Sequence, residues 1–261
     1  MCRRLAYAGH AIAMATLLFQ PGNSLIRQSL SAQRSVVPTN GDGFGLGWYG
    51  DLPAPGLFRD TMPAWNDANL RRLAEQIRSR LFFAHVRAST GTAPSRLNCH
   101  PLRREGWLFM HNGKVGGYHA IRRALEQLIP TACYNHREGT TDCEVFFLLA
   151  LANGMDADPL GALACTVAAI KRVMAANAAS EPLRITAAAS DGRRIVALRY
   201  ASSPACSSPR AARWRSRTAS AASPPGAGRS WYCPRRSTRC RATGSRCPRP
   251  MRWWWRTRWW R

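Results

Sequence analysis

The sequence predicts an α+β fold, with strands and helices in separated runs of the chain. Three observations carry that prediction. Leu5 and Tyr7 alternate with Arg4 and Ala6 from Cys2 onward, the period of a short strand that starts at the N-terminus. Helical patterns follow in succession over 118–128, 142–152 and 160–176. Finally, LRITAAAS and RRIVALRYA flank Asp191-Gly192, a strong hairpin signal.

The remaining elements follow in order. Residues 23–34 read as a helix, with Asn23 as its cap and Leu25, Ile26 and Leu30 at helical spacing. NGDGFGLGWYG (40–50) puts four glycines before an aromatic strand. Their every-second-residue spacing matches neither the dinucleotide nor the Walker loop, so either a turn into the strand or a ligand contact would explain them. Residues 67–80 carry Leu70, Leu73 and Ile77 at helical spacing, and LFFAHV (81–86) reads as a buried strand. WLFMHNG (107–113) is a further strand, expected to stop at Asn-Gly.

The charge is unevenly distributed. The chain of 261 residues has a formal net charge of +24, which by itself would suggest nucleic acid or an anionic membrane. Residues 1 to 200 hold 23 Lys and Arg against 14 acids, whereas 201 to 261 hold 15 Arg and no acid. That tail also lacks Leu, Ile, Val and Phe, so it cannot build an aliphatic core. Back-translating MRWWWR with CGN arginine codons and reading the frame from each codon's last base gives Ala, then Leu, Met or Val, then Val-Val-Ala, a buried-strand pattern. Residues 1–203 are therefore expected to form the folded domain, and 204–261 to be a disordered tail translated out of frame.

Nine cysteines, four of them in the tail, form no paired framework. Cys133 and His136 make half a metal site at most, with no second pair at zinc spacing, and no metal or cofactor is expected. A signal peptide is the rival for the basic-then-apolar start, but Gly9 and His10 interrupt the apolar run. No membrane span is expected, since no apolar stretch reaches the roughly 20 residues required. A cytoplasmic location is the expectation.

Cys2 follows the initiator methionine, and a small residue there normally allows Met1 to be removed. The thiol would then share a residue with an α-amine of pKa about 7.7 to 8.0, a built-in base for a nucleophile. FFAHVRASTG (82–91), NCHPL (98–102), FMHNGKV (109–115) and GTTDCEVFFLL (139–149) accompany it. With the opening MCR and NGDGFGLGWYG, this order resembles the class II glutamine amidotransferases over roughly residues 2 to 200.

The resemblance implies a four-layered αββα sandwich of the N-terminal-nucleophile type, its second sheet incomplete if its closing strands should come after Ser203. It implies Cys2 as the nucleophile on the side-chain amide of glutamine, forming a γ-glutamyl thioester and releasing ammonia. Asn112 and Gly113 match the oxyanion hole, Arg87 the partner of the substrate α-carboxylate, and Asp142 the partner of its α-ammonium. Taken singly, Asn112-Gly113 also reads as a turn, Arg87 as a strand-end charge and Asp142 as a helix N-cap, a role it could combine with binding. His85, His100 and His111 read as supporting or core histidines. After Arg87 the chain has Ala-Ser-Thr-Gly, without the aromatic and histidine of the sugar-synthesising branch. The expected substrate is glutamine or a γ-glutamyl amide, with an ammonia-accepting partner protein for any transfer and no specific nucleic acid. Two alternatives stand beside it: a γ-glutamyl peptide hydrolase using the same Cys2, and an inert body carrying a basic membrane- or nucleic-acid-binding tail.

Overall fold

The computed structural model describes residues 2–31, 39–89, 93–202 and the backbone of 210–215. Among these, strands β1 (Arg3–Ala13), β2 (Phe44–Tyr49), β3 (Gly56–Asp60) and β4 (Arg78–Val86) form one sheet in the order β1-β4-β2-β3. Strands β5 (Leu102–Arg104), β6 (Trp107–Lys114), β7 (Arg184–Ser190), β8 (Arg194–Ala201) and β9 (Arg210–Arg215) form the second sheet in chain order. All neighbouring strands are antiparallel.

Alternation along the strands divides the apolar residues into layers. Phe82, Ala84 and Val86 of β4 face a core shared with the short helices α1 (Ala15–Leu18), α2 (Leu25–Leu30) and α3 (Ala68–Gln76). Leu81 and Phe83 face the other way and meet Leu108, Met110, Ala188 and Ile195 of the second sheet. Phe109 and Ile185 on that sheet's outer face pack under α4 (Tyr118–Glu126), α6 (Asp142–Ala152) and α7 (Pro159–Ala176). A one-turn helix, α5 (Thr131–Tyr134), joins α4 to α6. The result is the expected αββα sandwich.

α7 is long and apolar enough to cross a bilayer, but it lays Leu163, Val167 and Ile170 into this core. β9 falls within the segment expected to form the tail, and it pairs with β8 as the fifth strand of the second sheet. The rest of that segment lies outside the described residues.

Several boundaries differ from the sequence reading. α2 is capped by Ser24, whose Oγ accepts the Arg27 N–H at 3.3 Å, and not by Asn23. The helix expected over 23–34 already stops at Leu30, where Ser31 is extended (φ −139°, ψ 95°); residues 32–34 lie outside the described ones. The helix expected over 67–80 stops at Gln76, because Arg78 and Ser79 pair with Ala13 and Ile12 and so extend β4 backwards. Asn112-Gly113 is not a turn: β6 continues through it, with the two residues opposite Thr186 and Ile185. The alternating glycines sit where neighbouring segments approach closely: Gly43 and Gly45 face Cys99 and the His100 carbonyl, and Gly47 faces the second sheet. A Cβ on Gly47 would lie 2.7 Å from Pro101 Cγ and 2.9 Å from Leu108 Cδ1, so only glycine lets β2 approach the second sheet this closely.

Phe109 is fully buried and stacks on Phe147 with ring centroids 4.8 Å apart. Phe109→Ala should lower unfolding free energy by about 3–5 kcal/mol in urea titrations. A loss below about 1 kcal/mol would be incompatible with this packing.

Candidate active site

The pairing of β1 with β4 decides where the N-terminus lies. Arg3 stands opposite Val86, so Cys2 is carried alongside the residues that follow β4. Its half-buried Sγ accepts the Ala88 N–H at 3.3 Å and lies 3.4 Å from the Ala88 carbonyl oxygen, to which the thiol can donate. The second sheet reaches the same residue, with Asn112 Nδ2 donating to the Cys2 carbonyl at 2.9 Å. Cys2 is thereby held from both sheets.

Arg87 precedes the residue that contacts the thiol and is only 4% exposed. Its N–H donates to Gly43 O at 2.8 Å, while Nη1 and Nη2 donate to the Asp42 carbonyl and Ser89 Oγ at 3.2 and 3.1 Å. Asp42 also accepts the Ser89 N–H at 2.7 Å, tying the segment before β2 to the one after β4. Gly113 lies on β6 where a Cβ would run into the Arg184 carbonyl of β7, so the strand can keep its register only with glycine here.

Asp142 opens α6, but the cap is its neighbour. Thr141 has extended backbone and its hydroxyl accepts the Glu144 N–H at 3.4 Å. Asp142 is already helical, which leaves its carboxylate to reach the residue just past β6, where Oδ2 accepts the Val115 N–H at 2.8 Å. The loop before it is fixed by two buried side chains. Asn98 Oδ1 accepts the Thr140 N–H at 3.0 Å, and Glu144 accepts the Glu138 and Gly139 N–H groups at 2.9 and 2.7 Å. Arg104 offsets the buried Glu144 charge at 3.2 Å.

The five residues singled out in the sequence thus join one continuous chain of contacts, from Arg87 through Ala88, Cys2, Asn112-Gly113 and Val115 to Asp142. Sequence reasoning missed Ala88 and Val115. Both contribute backbone N–H groups, for which side-chain identity carries no signal.

Around them lies a layer of buried histidines. His85 and His100 have ring centroids 4.7 Å apart, and His111 stacks on Phe146. Burial, helped by the positive charges of Arg4 and Arg87, lowers the His85 pKa to about 3. Burial and the neighbouring His85 hold His100 well below the ordinary histidine value. His111 is lowered by burial despite the opposing pull of Asp142. Its Nδ1 lies 2.9 Å from Cys143 Sγ, a thiol raised by burial and by the Asp142 charge. His111, Asp142 and Cys143 present donor atoms within 4.8 Å of one another. Cys133 and His136 join no such grouping among the described residues.

A family model described as class II glutamine amidotransferases matches residues 10–207, beginning after Cys2. The probable glutamine amidotransferase DUG3 of Saccharomyces cerevisiae is 41% identical over 160 residues, 58% of this chain and 45% of the yeast protein. The chain therefore spans less than half the length of that relative. The γ-glutamyl-hercynylcysteine sulfoxide hydrolase of Mycobacterium tuberculosis is 29% identical over 199 residues, 76% of each protein. Among solved structures, a glutamine aminotransferase class-II domain protein from Silicibacter pomeroyi superimposes with a TM-score of 0.61 at 37% identity, covering 78% of this chain and 79% of that one.

The buried histidines make stability depend on pH. An unfolded histidine takes up a proton near pH 6.5, whereas His85 stays neutral in the fold until about pH 3. Unfolding is therefore favoured progressively as pH falls through that interval, by up to about 1.4 kcal/mol per pH unit for each such histidine. Denaturant titrations from pH 8 to pH 5 should show stability falling below about pH 6.5. A flat profile would mean that these rings are protonated or solvated in the folded state.

Proposed function

Because this chain belongs to the class II glutamine amidotransferases, an enzyme family, we propose that it hydrolyses the side-chain amide of glutamine through a thioester on Cys2 once Met1 has been removed. The observation that carries this reading is the double hold on Cys2, by Ala88 just past β4 of one sheet and Asn112 on β6 of the other.

With Met1 gone, the Cys2 α-amine accepts the thiol proton and the sulfur adds to the amide carbonyl. Asn112 has two side-chain donors, one of them on the Cys2 carbonyl, so the other can meet the developing oxyanion together with the Gly113 N–H. Collapse expels ammonia, which takes its proton from the α-ammonium, and leaves the γ-glutamyl thioester. Water then attacks the thioester with the amine again acting as base, releasing glutamate. The planar fork of Arg87 suits the substrate α-carboxylate, and Asp142 suits its α-ammonium. Transfer of ammonia to an acceptor would involve a partner protein. A reducing cytoplasm suits the free thiol.

A second reading uses the same nucleophile on a γ-glutamyl peptide bond, so that the leaving group is an amine. It is favoured by the likeness to the mycobacterial γ-glutamyl hydrolase over three quarters of both chains. Measuring ammonia from glutamine against free amine from γ-glutamyl peptides separates the two. Cys2→Ala should abolish both activities, and Asn112→Ala should lower kcat about 10²- to 10³-fold. Undiminished turnover by Cys2→Ala would overturn both readings.

A further inference from the structure

We propose that His111, Asp142 and Cys143 form an inhibitory site for a borderline-soft divalent metal ion, best suited to Zn²⁺, whose binding excludes the amino-acid substrate from Asp142. The three donors come from two elements that the fold brings together, His111 from β6 and the other two from the first turn of α6. His111 Nδ1 lies 2.9 Å from Cys143 Sγ, Cys143 Sγ lies 3.4 Å from Asp142 Oδ1, and all three donor atoms fall within 4.8 Å. A tetrahedral zinc ion, with Zn–S of about 2.3 Å and Zn–N or Zn–O of about 2.0–2.2 Å, holds its ligands roughly 3.3–3.6 Å apart. Small side-chain adjustments therefore suffice to admit the ion.

The donor set is one thiol, one imidazole and one carboxylate. It favours zinc over magnesium or calcium, which require oxygen ligands. On binding, the Cys143 S–H gives its proton to solvent and an S–Zn bond replaces it, with no redox change. Thiolate and carboxylate together balance the two charges of the ion, so the filled site carries no net charge toward the positive end of the α6 dipole. Surrounding contacts orient the ligands: the Val115 N–H holds Asp142 Oδ2, leaving Oδ1 for the metal, and Phe146 stacks on His111 with the ring planes 7° apart. Asp142 is half-buried while its two companions are buried, so the fourth corner of the tetrahedron opens on its side.

Exclusion of substrate rests on the reading above, in which Asp142 receives the α-ammonium; the metal site itself does not. The two can be tested apart. Binding is measured on the full chain with Cys206, Cys233, Cys240 and Cys247 changed to serine and Cys2→Ala added, using Zn²⁺ competition against a chromophoric chelator and Co²⁺ absorption. A thiolate-to-cobalt band should appear, and Cys143→Ala should remove it and weaken zinc binding by at least about tenfold. His111→Gln serves as the second variant should Cys143→Ala fail to fold. In the Cys2-intact enzyme, Zn²⁺ at ten times its dissociation constant should raise the KM for glutamine about elevenfold without changing kcat. Magnesium should do neither. A cobalt band that survives both Cys143→Ala and His111→Gln in the Cys2→Ala background overturns the site. Metal binding that depends on Cys143 but leaves KM unchanged upholds the site and overturns the contact between Asp142 and substrate.

Discussion

The antiparallel pairing of β1 with β4 is the constraint from which the rest of the site follows. β1 is an edge strand, and its register places residue 2 of a 261-residue chain against Ala88 and within reach of Asn112. A slip of one residue would turn every β1 side chain to the opposite face and remove the sulfur from its cradle. The strand interior secures the register, since Leu5 and Tyr7 pack toward the helices that cover this sheet. A chain end would ordinarily fray, and here packing along a strand of eleven residues prevents it.

The space between the sheets changes character along its length. At one end Leu81, Phe83, Leu108 and Met110 form an apolar filling. Toward Cys2 this gives way to Arg4, His85, His100 and the Asn112 amide. Burying such groups is costly, and keeping the histidines neutral limits the cost while leaving a rigid polar wall around the thiol. The same arrangement ties the geometry around Cys2 to acid sensitivity, because protonating the wall would place unpaired charge behind the thiol.

Much of this was legible in the sequence. The α6 boundaries follow from an apolar run after a cluster of cap-forming residues, and the Asp191-Gly192 hairpin follows from turn chemistry, with Gly192 at φ 84°. The five candidate residues were singled out through the order of short fragments around them, and the fold brings them into one chain of contacts. Which of Thr141 and Asp142 caps the helix could not be read, because both side chains can do so and only the contact with Val115, just past β6, separates them. Asn112-Gly113 carries a turn signal that pairing with β7 overrides, and Ser79 is drawn from a helical pattern into β4 by Ile12. β3 and β5 are short and without alternation, so they exist only through their neighbours. The meeting of His111 with Cys143 has no local signature, since it depends on α6 lying across β6.

Whether the terminal residue is the nucleophile can be read directly from the protein during turnover. The chain is exposed briefly to glutamine, quenched in acid and mapped by peptide mass spectrometry. The expected first peptide begins at Cys2 and carries a γ-glutamyl group on its sulfur. An active protein whose first peptide still begins at Met1, or whose acyl group sits on another cysteine, is incompatible with catalysis by a terminal thiol and its own amine.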